Sequence, residues 1–357
     1  MARFFPLTVV EVERLTRDAV ALTLAPRAED RDAFEFIQGQ YLTFRRDFDG
    51  EEVRRSYSIC AGRNEGRLRV GIKRVHDGQY STYANTEVKP GDVLEAMAPA
   101  GNFHAPLDPA AKRDYLGFAG GSGITPVLSI VRTVLAEEPQ STFTLVYGNQ
   151  SSNAIMFREE LEDLKNLHLG RLSILHIFDR ETQEIDLFNG LVDRAKCEAL
   201  FERWIDVKRA DLAFVCGPEP MMLAVAEALK AAGMDEGAIK FELFASPHAG
   251  KPKRAAAATA ATEADACAAT VTLDGISRDV KIAKRQQTVL EAALAEGLDA
   301  PYACRAGVCS TCRAMVLEGE VEMDANYALE DYEVRRGYVL TCQSYPVSDK
   351  LVVDYDQ

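Results

Sequence analysis

The chain has 357 residues, of which 47% are hydrophobic and 27% charged, and its formal net charge is −14. This length allows two or three domains of ordinary size, and the composition is that of a globular protein. The acidic balance argues against nucleic acid as a partner, because phosphates attract basic surfaces. No apolar run approaches the roughly 18 residues of a membrane span. Glu11 also interrupts the apolar N-terminus too early for a secretion signal.

The first part of the chain, residues 1–108, predicts an antiparallel β-barrel. Its apolar segments are short and are separated by turn-forming pairs such as Asp49-Gly50 and Pro90-Gly91. Closely spaced strands with little helix between them are typical of small barrels. The predicted strands are residues 20–24, 41–44, 54–59, 67–73 and 93–97.

The second part, residues 109–245, alternates strand-like and helix-like segments. Such alternation predicts an α/β domain with a parallel sheet covered by helices. The predicted strands are residues 115–119, 143–147, 172–178, 212–216 and 239–244. The predicted helices end near residue 136, cover 155–165 and 192–204, and end near residue 230.

Residues 246–268 predict a linker, because proline, glycine and small residues replace the apolar periodicity. Residues 269–357 begin with two apolar segments around Asp274-Gly275, which predict a hairpin. Thr288 and Glu291 have the spacing of a capping box, so a helix should begin there and end at Gly297. These elements predict a small α+β domain, the kind of arrangement known as the β-grasp.

Four of the eight cysteines, Cys304, Cys309, Cys312 and Cys342, follow the order C-x4-C-x2-C-x29-C. This is the plant-type spacing of thiolates that hold a [2Fe–2S] cluster. Gly307 lies in the first gap and can adopt the positive φ that a tight loop requires. The alternative is a structural zinc site or a set of buried thiols, although zinc ligands usually come as two closely spaced pairs. This cysteine usage favours a reducing cytoplasm over a disulfide framework.

Two loops of the second part predict a nucleotide site. Gly121 and Gly123 join the first strand to its helix, where backbone N–H groups and the helix N-terminus favour a pyrophosphate. Pro126 stands where the Rossmann fingerprint has its third glycine, so this loop alone is equally compatible with a tight turn. Cys216 and Gly217 follow the fourth strand, at the end of the sheet where ligands bind. A strand stop built from glycine and proline is the alternative there.

The barrel contains two further candidate motifs. Arg55-Ser56-Tyr57-Ser58 ends a predicted strand, and Gly78-Gln79-Tyr80-Ser81 follows Gly71-Ile72-Lys73. An arginine can form a fork to phosphate, and a tyrosine ring can stack on an aromatic cofactor. Such residues also decorate ordinary strands, so they point to a cofactor only in combination with the glycine loops.

Taken in this order, the motifs of residues 1–245 resemble the ferredoxin–NADP reductase family, and residues 269–357 resemble plant-type ferredoxins. The whole chain is therefore similar to oxygenase reductases with a C-terminal iron–sulfur domain. The segments 54–60, 147–149 and 156–158 contribute to the likeness, and the tail segments 326–330 and 337–343 are its most specific part.

The resemblance implies FAD as the flavin, with FMN less favoured, and it assigns roles to individual residues. Arg55, Tyr57 and Ser58 are expected to contact the flavin and Ser81 its phosphate, while Gly121, Thr125 and Cys216 line the nicotinamide nucleotide site. Glu242 is expected near the flavin, although an ordinary surface glutamate is equally compatible. The predicted catalytic residues are Tyr57, Ser58 and Cys216. The full predicted cofactor-binding set is Arg55, Ser56, Tyr57, Ser58, Gly71, Lys73, Gly78, Ser81, Gly121, Gly123, Thr125, Arg158, Cys216, Gly217 and Glu242.

These assignments predict a three-stage electron relay. A nicotinamide delivers two electrons as hydride, the flavin splits the pair, and the cluster passes single electrons onward. An acidic residue marks the ribose of NAD sites, whereas an arginine accommodates the 2′-phosphate of NADP. After the second strand of the nucleotide domain no acid occurs before Glu159, and Arg158 precedes it. The sequence therefore favours NADPH over NADH as the donor.

The resemblance also implies a partner, a separate di-iron oxygenase that adds oxygen to phenylacetyl-CoA. Two alternatives stay open at this point. The same relay could serve another oxygenase, such as an aromatic-ring dioxygenase, or the chain could be a non-catalytic iron–sulfur carrier whose nucleotide domains have decayed. The intact Arg55–Ser58 motif, glycine loop and Cys216-Gly217 pair argue against decay.

Overall fold

The computed structural model describes residues 3–244 and 266–357. These residues form two compact units. The larger unit contains residues 5–53 and 57–244, and the smaller contains residues 266–357 with the short segments 3–4 and 54–56. In the described ranges, no helix combines the length and apolar character needed to cross a membrane.

Six strands and one short helix form the N-terminal sheet. They are β1 (Phe5–Thr16), β2 (Ala19–Pro26), β3 (Tyr41–Phe48), β4 (Glu51–Ser58), β5 (Leu68–Lys73), α1 (Gln79–Thr86) and β6 (Val93–Ala96). The strand order is β4-β3-β6-β1-β2-β5, with antiparallel pairing of β1 to β2 and β6, of β2 to β5 and of β3 to β6. A bridge between Ile59 and Val70 joins the two edges. The sheet therefore closes as the predicted barrel.

Two elements of this part were not predicted from the sequence. In β1 the inward residues Phe5, Leu7 and Val9 alternate as a strand requires, but a bulge between Val9 and Glu11 interrupts the alternation. Helix α1 has only eight residues. Two turns are too short for the 11- to 18-residue window in which helical periodicity is recognised.

The next nine elements form the predicted α/β part. They are β7 (Asp114–Gly120), α2 (Ile124–Glu137), β8 (Thr142–Asn149), α3 (Arg158–Leu167), β9 (Leu172–Phe178), α4 (Arg194–Arg203), β10 (Leu212–Gly217), α5 (Glu219–Ala231) and β11 (Ile239–Leu243). All strands pair in parallel in the order β11-β10-β7-β8-β9, which confirms the predicted sheet. The order reverses at β7, so the carboxyl ends of β7 and β10 border the crevice where open α/β sheets bind ligands.

The smaller unit contains β12 (Ala266–Leu273), β13 (Ile276–Ala283), α6 (Val289–Ala295), β14 (Arg313–Glu318), β15 (Val321–Met323), α7 (Asp331–Arg335), β16 (Tyr338–Leu340), β17 (Ser344–Pro346) and β18 (Lys350–Asp354). Its main sheet has the order β13-β12-β18-β14-β16, and β15 pairs with β17. This mixed sheet with its crossing helix confirms the predicted α+β class.

Local signals in the smaller unit are confirmed closely. The predicted hairpin is β12–β13, paired antiparallel around Asp274-Gly275. Thr288 and Glu291 form both hydrogen bonds of the capping box before α6, and Gly297 follows the helix with φ of 73°. The predicted linker was too long, because β12 begins at Ala266 and Cys267 is a buried strand residue. The rest of that linker, residues 246–265, lies outside the described residues.

The barrel and the parallel sheet share one core and a set of buried charges. Ala19, Ala21 and Cys60 of the barrel part belong to the apolar cluster beneath the parallel sheet. Arg69 of β5 has a side chain only 3% exposed, and its Nη1 lies 2.9 Å from both carboxylate oxygens of Glu160 on α3. This contact joins the barrel to a helix of the nucleotide part inside the larger unit.

Three further ion pairs complete this charge cluster. Arg132 of α2 contacts Glu160 and also donates to Glu65 Oε1 at 2.7 Å, while Glu13 contacts Arg69 from the other side. A buried guanidinium keeps its proton, so the positive charges of Arg69 and Arg132 must be compensated by these carboxylates.

Replacing Arg69 with Met should therefore lower the free energy of unfolding by about 3 kcal/mol, because Glu160 keeps a charge with fewer partners. The matched control is Arg67→Met, since Arg67 forms a pair with Glu65 and its side chain is 42% exposed. An exposed pair of this kind should cost less than about 1 kcal/mol. Urea unfolding of the flavin-containing variants measures both values. Equal stability of the two variants would contradict the role given to Arg69.

Candidate functional site

The loop 304–312 carries three of the predicted cluster ligands. Gly307 has φ of 73°, as predicted, and a Cβ at this position would stand 2.7 Å from the carbonyl oxygen of Ala325. The backbone N–H of Tyr327 donates to the carbonyl of Gly307 at 2.9 Å. The loop thus lies directly on the segment 325–327, and only glycine meets both demands.

The fourth predicted ligand, Cys342, is held near this loop by its neighbours. The backbone N–H and the hydroxyl of Thr341 both donate to the carbonyl of Cys312, at 3.1 and 2.9 Å. Gln343 Nε2 donates to the carbonyl of Arg305 at 3.0 Å. The tail 337–343 therefore supplies a thiol and also ties two ligand-bearing segments together.

The thiols contact one another. Cys309 Sγ lies 3.1 Å from Cys304 Sγ, and the N–H of Ala306 donates to the latter at 3.3 Å. Hydrogen bonds from neighbouring thiols lower the pKa of Cys304 and of Cys312. The same hydrogen bonds, together with burial, raise the pKa of Cys309 and Cys342. Four thiolates this close together would repel one another, and the two irons of a cluster would supply the positive charge that stabilises them.

The donor set fits a two-iron cluster. Within residues 3–244 and 266–357, no three His, Cys, Asp or Glu side chains are grouped to hold one metal ion. A [2Fe–2S] cluster makes a different demand, because its four thiolates are divided between two irons. The residues that would hold it are Cys304, Cys309, Cys312 and Cys342.

In the larger unit, two loops meet at the carboxyl ends of β7 and β10. A Cβ at Gly123 would stand 2.1 Å from the carbonyl oxygen of Cys216. A Cβ at Gly217 would stand 2.8 Å from Met221 Cε and 3.0 Å from the nitrogen of Gly120. Contact between the loops thus accounts for Gly123 and Gly217, which the sequence had assigned to cofactor binding.

Gly121 has a different environment. It has φ of 53°, and among the residues that the structure describes a Cβ there would meet only Lys73 Nζ within 4 Å, at 4.0 Å. The hydroxyl of Tyr147 donates to the carbonyl of Gly121 at 3.0 Å and so holds the turn. Lys73 Nζ also lies 3.8 Å from Asp18 Oδ2. An open glycine backbone beside an ammonium group suits a pyrophosphate.

Thr125 and Gly71 lie where the barrel packs on the nucleotide part. Thr125 Oγ1 donates to the carbonyl of Ser122 at 3.0 Å. A Cβ at Gly71 would stand 2.6 Å from Thr125 Cγ2 and 2.9 Å from Phe157 Cζ, so packing accounts for this glycine. Phe157 is buried and has φ of 59°, a strained value for an aromatic residue. That conformation is why α3 begins at Arg158 and not at residue 155 as predicted.

Three predicted residues converge at the end of the sheet. Ser58 Oγ donates to Glu242 Oε2 at 3.2 Å, although the two residues are 184 positions apart. Glu242 in turn is the register partner of Cys216 between β11 and β10. The convergence joins the end of a barrel strand to the ligand-binding end of the parallel sheet.

Burial governs the protonation of this group. Burial raises the pKa of Glu242 to about 8, and the hydrogen bond from Ser58 only partly offsets this. Glu242 as a whole is half-buried, and its carboxylate is the part that protein atoms surround. This is expected for a residue in the wall of a cleft. Burial, with the charge of Glu242 as a second cause, raises the pKa of Cys216 well above its usual range. Both groups therefore hold a proton at neutral pH.

The predicted flavin-stacking residue, Tyr57, borders an aromatic cluster. Its ring centroid lies 5.7 Å from that of Tyr80 and 6.1 Å from that of Phe44. Tyr80 is buried, and its hydroxyl has no hydrogen-bond partner in the part of the chain that the structure describes. An unpaired buried hydroxyl costs about 1–3 kcal/mol, so this atom fits contact with a polar group of a bound flavin.

Gly78 and Ser81 form the turn that begins α1. Ser81 Oγ donates to the carbonyl of Gly78 at 3.1 Å and accepts from the N–H of Val75 at 3.2 Å. The first helical hydrogen bond runs from Thr82 N to the carbonyl of Gly78. The N–H groups of residues 79–81 precede it and can receive an anion. The turn therefore fits a flavin phosphate through its backbone, with the Ser81 hydroxyl shaping it.

The remaining predicted residues are Arg55, Ser56 and Arg158. Arg55 is exposed and donates to the carbonyl of Arg54 at 2.7 Å, and Ser56 is half-buried; all three belong to the smaller unit. Arg158 pairs with Glu162 at 3.1 Å, and both side chains are more than half exposed. Such an i,i+4 pair contributes only about 0.3–0.5 kcal/mol, so it leaves the guanidinium available to a ligand at small cost.

Two polar features of the nucleotide part escaped the sequence analysis. Asn149, at the end of β8, is 8% exposed, and its amide lies beside the hydroxyl of Tyr147, whose pKa burial raises and Asn149 partly lowers. Glu181 accepts hydrogen bonds from the N–H and the hydroxyl of Ser152. Glu181 and Ser152 are 29 positions apart, so no local spacing in the sequence could have indicated their contact.

Family models match all three parts of the chain. An oxidoreductase FAD-binding domain matches residues 6–105, an oxidoreductase NAD-binding domain residues 118–227, and a 2Fe-2S iron-sulfur cluster binding domain residues 271–347. These matches confirm the order flavin, nicotinamide nucleotide and cluster along the sequence.

Individual relatives cover nearly the whole chain. It is 43% identical to one subunit of the 1,2-phenylacetyl-CoA epoxidase of Escherichia coli (strain K12), over 100% of this chain and 99% of the relative. It is 33% identical to the ferredoxin reductase component of 3-ketosteroid-9-alpha-monooxygenase of Rhodococcus rhodochrous, over 98% and 96% of the two chains. The solved structure of phthalate dioxygenase reductase aligns over 98% of both chains with 26% identity and a TM-score of 0.58.

The raised pKa of Glu242 predicts a pH dependence of stability. Between its usual pKa near 4.5 and the folded value of about 8, only the folded state keeps the proton. The free energy of unfolding should therefore fall as pH rises through this window, by at most about 1.4 kcal/mol per pH unit from this group. Glu242→Gln should lack this contribution, so its stability relative to the wild type should rise from pH 5 to pH 8. Urea unfolding at several pH values measures the gap, and a constant gap would contradict the burial of a protonated Glu242.

Proposed function

Because this chain belongs to the ferredoxin–NADP reductase family, among the reductase components of multicomponent oxygenases, we propose that it serves the di-iron oxygenase that epoxidises phenylacetyl-CoA. In this proposal electrons pass from NADPH through FAD and a [2Fe–2S] cluster to that oxygenase, in phenylacetate degradation. The observation that carries it is the 43% identity over the full length to the matched subunit of the Escherichia coli epoxidase. Free cysteines throughout the described chain support a cytoplasmic location.

When bound, the flavin would accept a hydride, and with it two electrons, from the nicotinamide, and the cluster would carry one electron at a time. The protein positions these groups and excludes water. Tyr57 offers a ring for stacking, and the turn before α1 offers N–H groups to the flavin phosphate. Ser58, Cys216 and Glu242 line the point where the barrel strand meets the ligand-binding end of the sheet.

The protonated, neutral state of Glu242 and Cys216 would favour hydride transfer. Hydride transfer to a flavin moves negative charge, and a nearby carboxylate would oppose it. Glu242 keeps its proton below about pH 8 and accepts the hydroxyl hydrogen of Ser58. Cys216 is also neutral and buried. The three side chains thus border the site without adding a charge near neutral pH.

FAD is proposed over FMN because the matching family model is an oxidoreductase FAD-binding domain. NADPH is proposed over NADH because Arg158 begins α3 after the loop that follows β8, and its ion pair with Glu162 is exposed and weak. A guanidinium there suits the 2′-phosphate.

A second candidate keeps the relay and changes the partner. The likeness to the 3-ketosteroid-9-alpha-monooxygenase reductase component, at 33% identity, favours an oxygenase of another substrate class. The identity is lower by ten percentage points than that to the epoxidase relative, so this assignment is the alternative.

Reconstitution tests the proposal. The purified chain, with bound flavin and cluster, is combined with the oxygenase subunits of a phenylacetyl-CoA epoxidase, and loss of phenylacetyl-CoA is followed with NADPH or NADH. We expect turnover with the epoxidase and none with the 3-ketosteroid oxygenase component, and a higher kcat/KM for NADPH. Turnover only with the latter component would move the assignment to the alternative. A higher kcat/KM for NADH would overturn the choice of donor.

A further inference from the structure

The loop after β8 contains Ser152, and the loop after β9 brings the carboxylate of Glu181 to it, at a site that the proposed nucleotide would use. Glu181 Oε2 accepts from the backbone N–H of Ser152 at 2.7 Å and from its hydroxyl at 2.9 Å. Both donors of Ser152 therefore point to a single oxygen. Charge-assisted hydrogen bonds of this length are strong, and a bound anion would need the same donors.

The backbone holds Glu181 in this place. The last paired residues of the two strands are Asn149 and Phe178. Beyond them, Asp179 N donates to the carbonyl of Asn149 at 3.2 Å, and Arg180 N donates to that of Gln150 at 3.0 Å. The strand pairing thus continues past the sheet and carries Glu181 to Ser152. The contact is part of the fold and not a chance meeting of two exposed side chains.

The position matches the ribose end of a nucleotide. Gly148 of β8 pairs with Gly120 of β7, so the loop after β8 lies beside the predicted pyrophosphate loop. In sites of this type, the end of the second strand reads the ribose hydroxyls or the 2′-phosphate.

We propose that Glu181 determines donor specificity by occupying both donors of Ser152 and by placing a negative charge where a 2′-phosphate would bind. This inference rests on the proposed nucleotide role of the loop. A carboxylate tolerates ribose hydroxyls, which can donate to it, but it repels a phosphate. Glu181 therefore limits the preference for NADPH that Arg158 favours.

The test measures the ratio of kcat/KM for NADPH to kcat/KM for NADH, with ferricyanide as the acceptor. Glu181→Gln should raise this ratio at least about tenfold, equivalent to about 1.4 kcal/mol. Glu181→Ser also removes the carboxylate and should raise the ratio by a similar factor. The test can therefore still be made if one of the two variants folds poorly. Glu181→Asp keeps the charge and should stay near the wild type. The matched control is Glu184→Gln, which removes an exposed charge from the same loop.

The outcomes separate this inference from the proposed function. If the wild type is reduced by neither nucleotide, the proposed function is wrong. If the wild type is active and both neutral variants keep its ratio within about twofold, only the role of Glu181 is wrong. An equal rise in Glu184→Gln would also overturn it, because the effect would then be one of general charge.

Discussion

The buried guanidinium of Arg69 is the constraint on which the larger unit depends. Arginine keeps its proton in folded proteins, so a guanidinium taken out of water must be matched by carboxylates. Glu160 of α3 matches it with two oxygens, and Arg132 of α2 shares the same carboxylate. A barrel strand and two helices of the nucleotide part must therefore meet at one point. This meeting is consistent with the placement of Ser58, from the barrel, beside Glu242, from the parallel sheet.

The glycines of the site serve two physical purposes. Gly123, Gly217 and Gly71 allow protein segments to touch each other, because any side chain would overlap a neighbouring atom. Gly121 and Gly307 instead adopt positive φ in loops that are expected to receive a cofactor. Close packing of the first group holds the loops in position, and the second group shapes the surface that faces the ligand.

The local signals in the sequence were sufficient for much of the fold. The capping box of Thr288 and Glu291, the hairpin at Asp274 and the turn at Gly307 each depend on residues a few positions apart. Alternation of strands and helices likewise predicted the parallel sheet. The prediction of the cluster ligands also rests on a local signal, because three of the four cysteines lie within nine residues of one another.

Features that join distant residues were not predictable in the same way. The hydrogen bond of Ser58 to Glu242 spans 184 positions, and the pairing of Glu181 with Ser152 depends on how β8 and β9 end. The strained Phe157 has no sequence signal, because its conformation is stabilised by packing against Gly71. The sequence has no acidic residue shortly after β8, but the fold brings the carboxylate of Glu181 to Ser152 from the loop after β9.

The central claim is that nucleotide oxidation in the larger unit and electron exit through the cluster are separable functions. Cys304→Ser tests it directly, with Cys267→Ser as control, since Cys267 is a buried thiol of the same unit outside the ligand set. We expect Cys304→Ser to lose the cluster absorbance and electron transfer to the oxygenase. It should still reduce ferricyanide with NADPH at a rate within about twofold of the wild type, because reduction of the bound flavin needs no cluster. Loss of both activities in a folded, flavin-containing Cys304→Ser variant, with the control unaffected, would contradict the account.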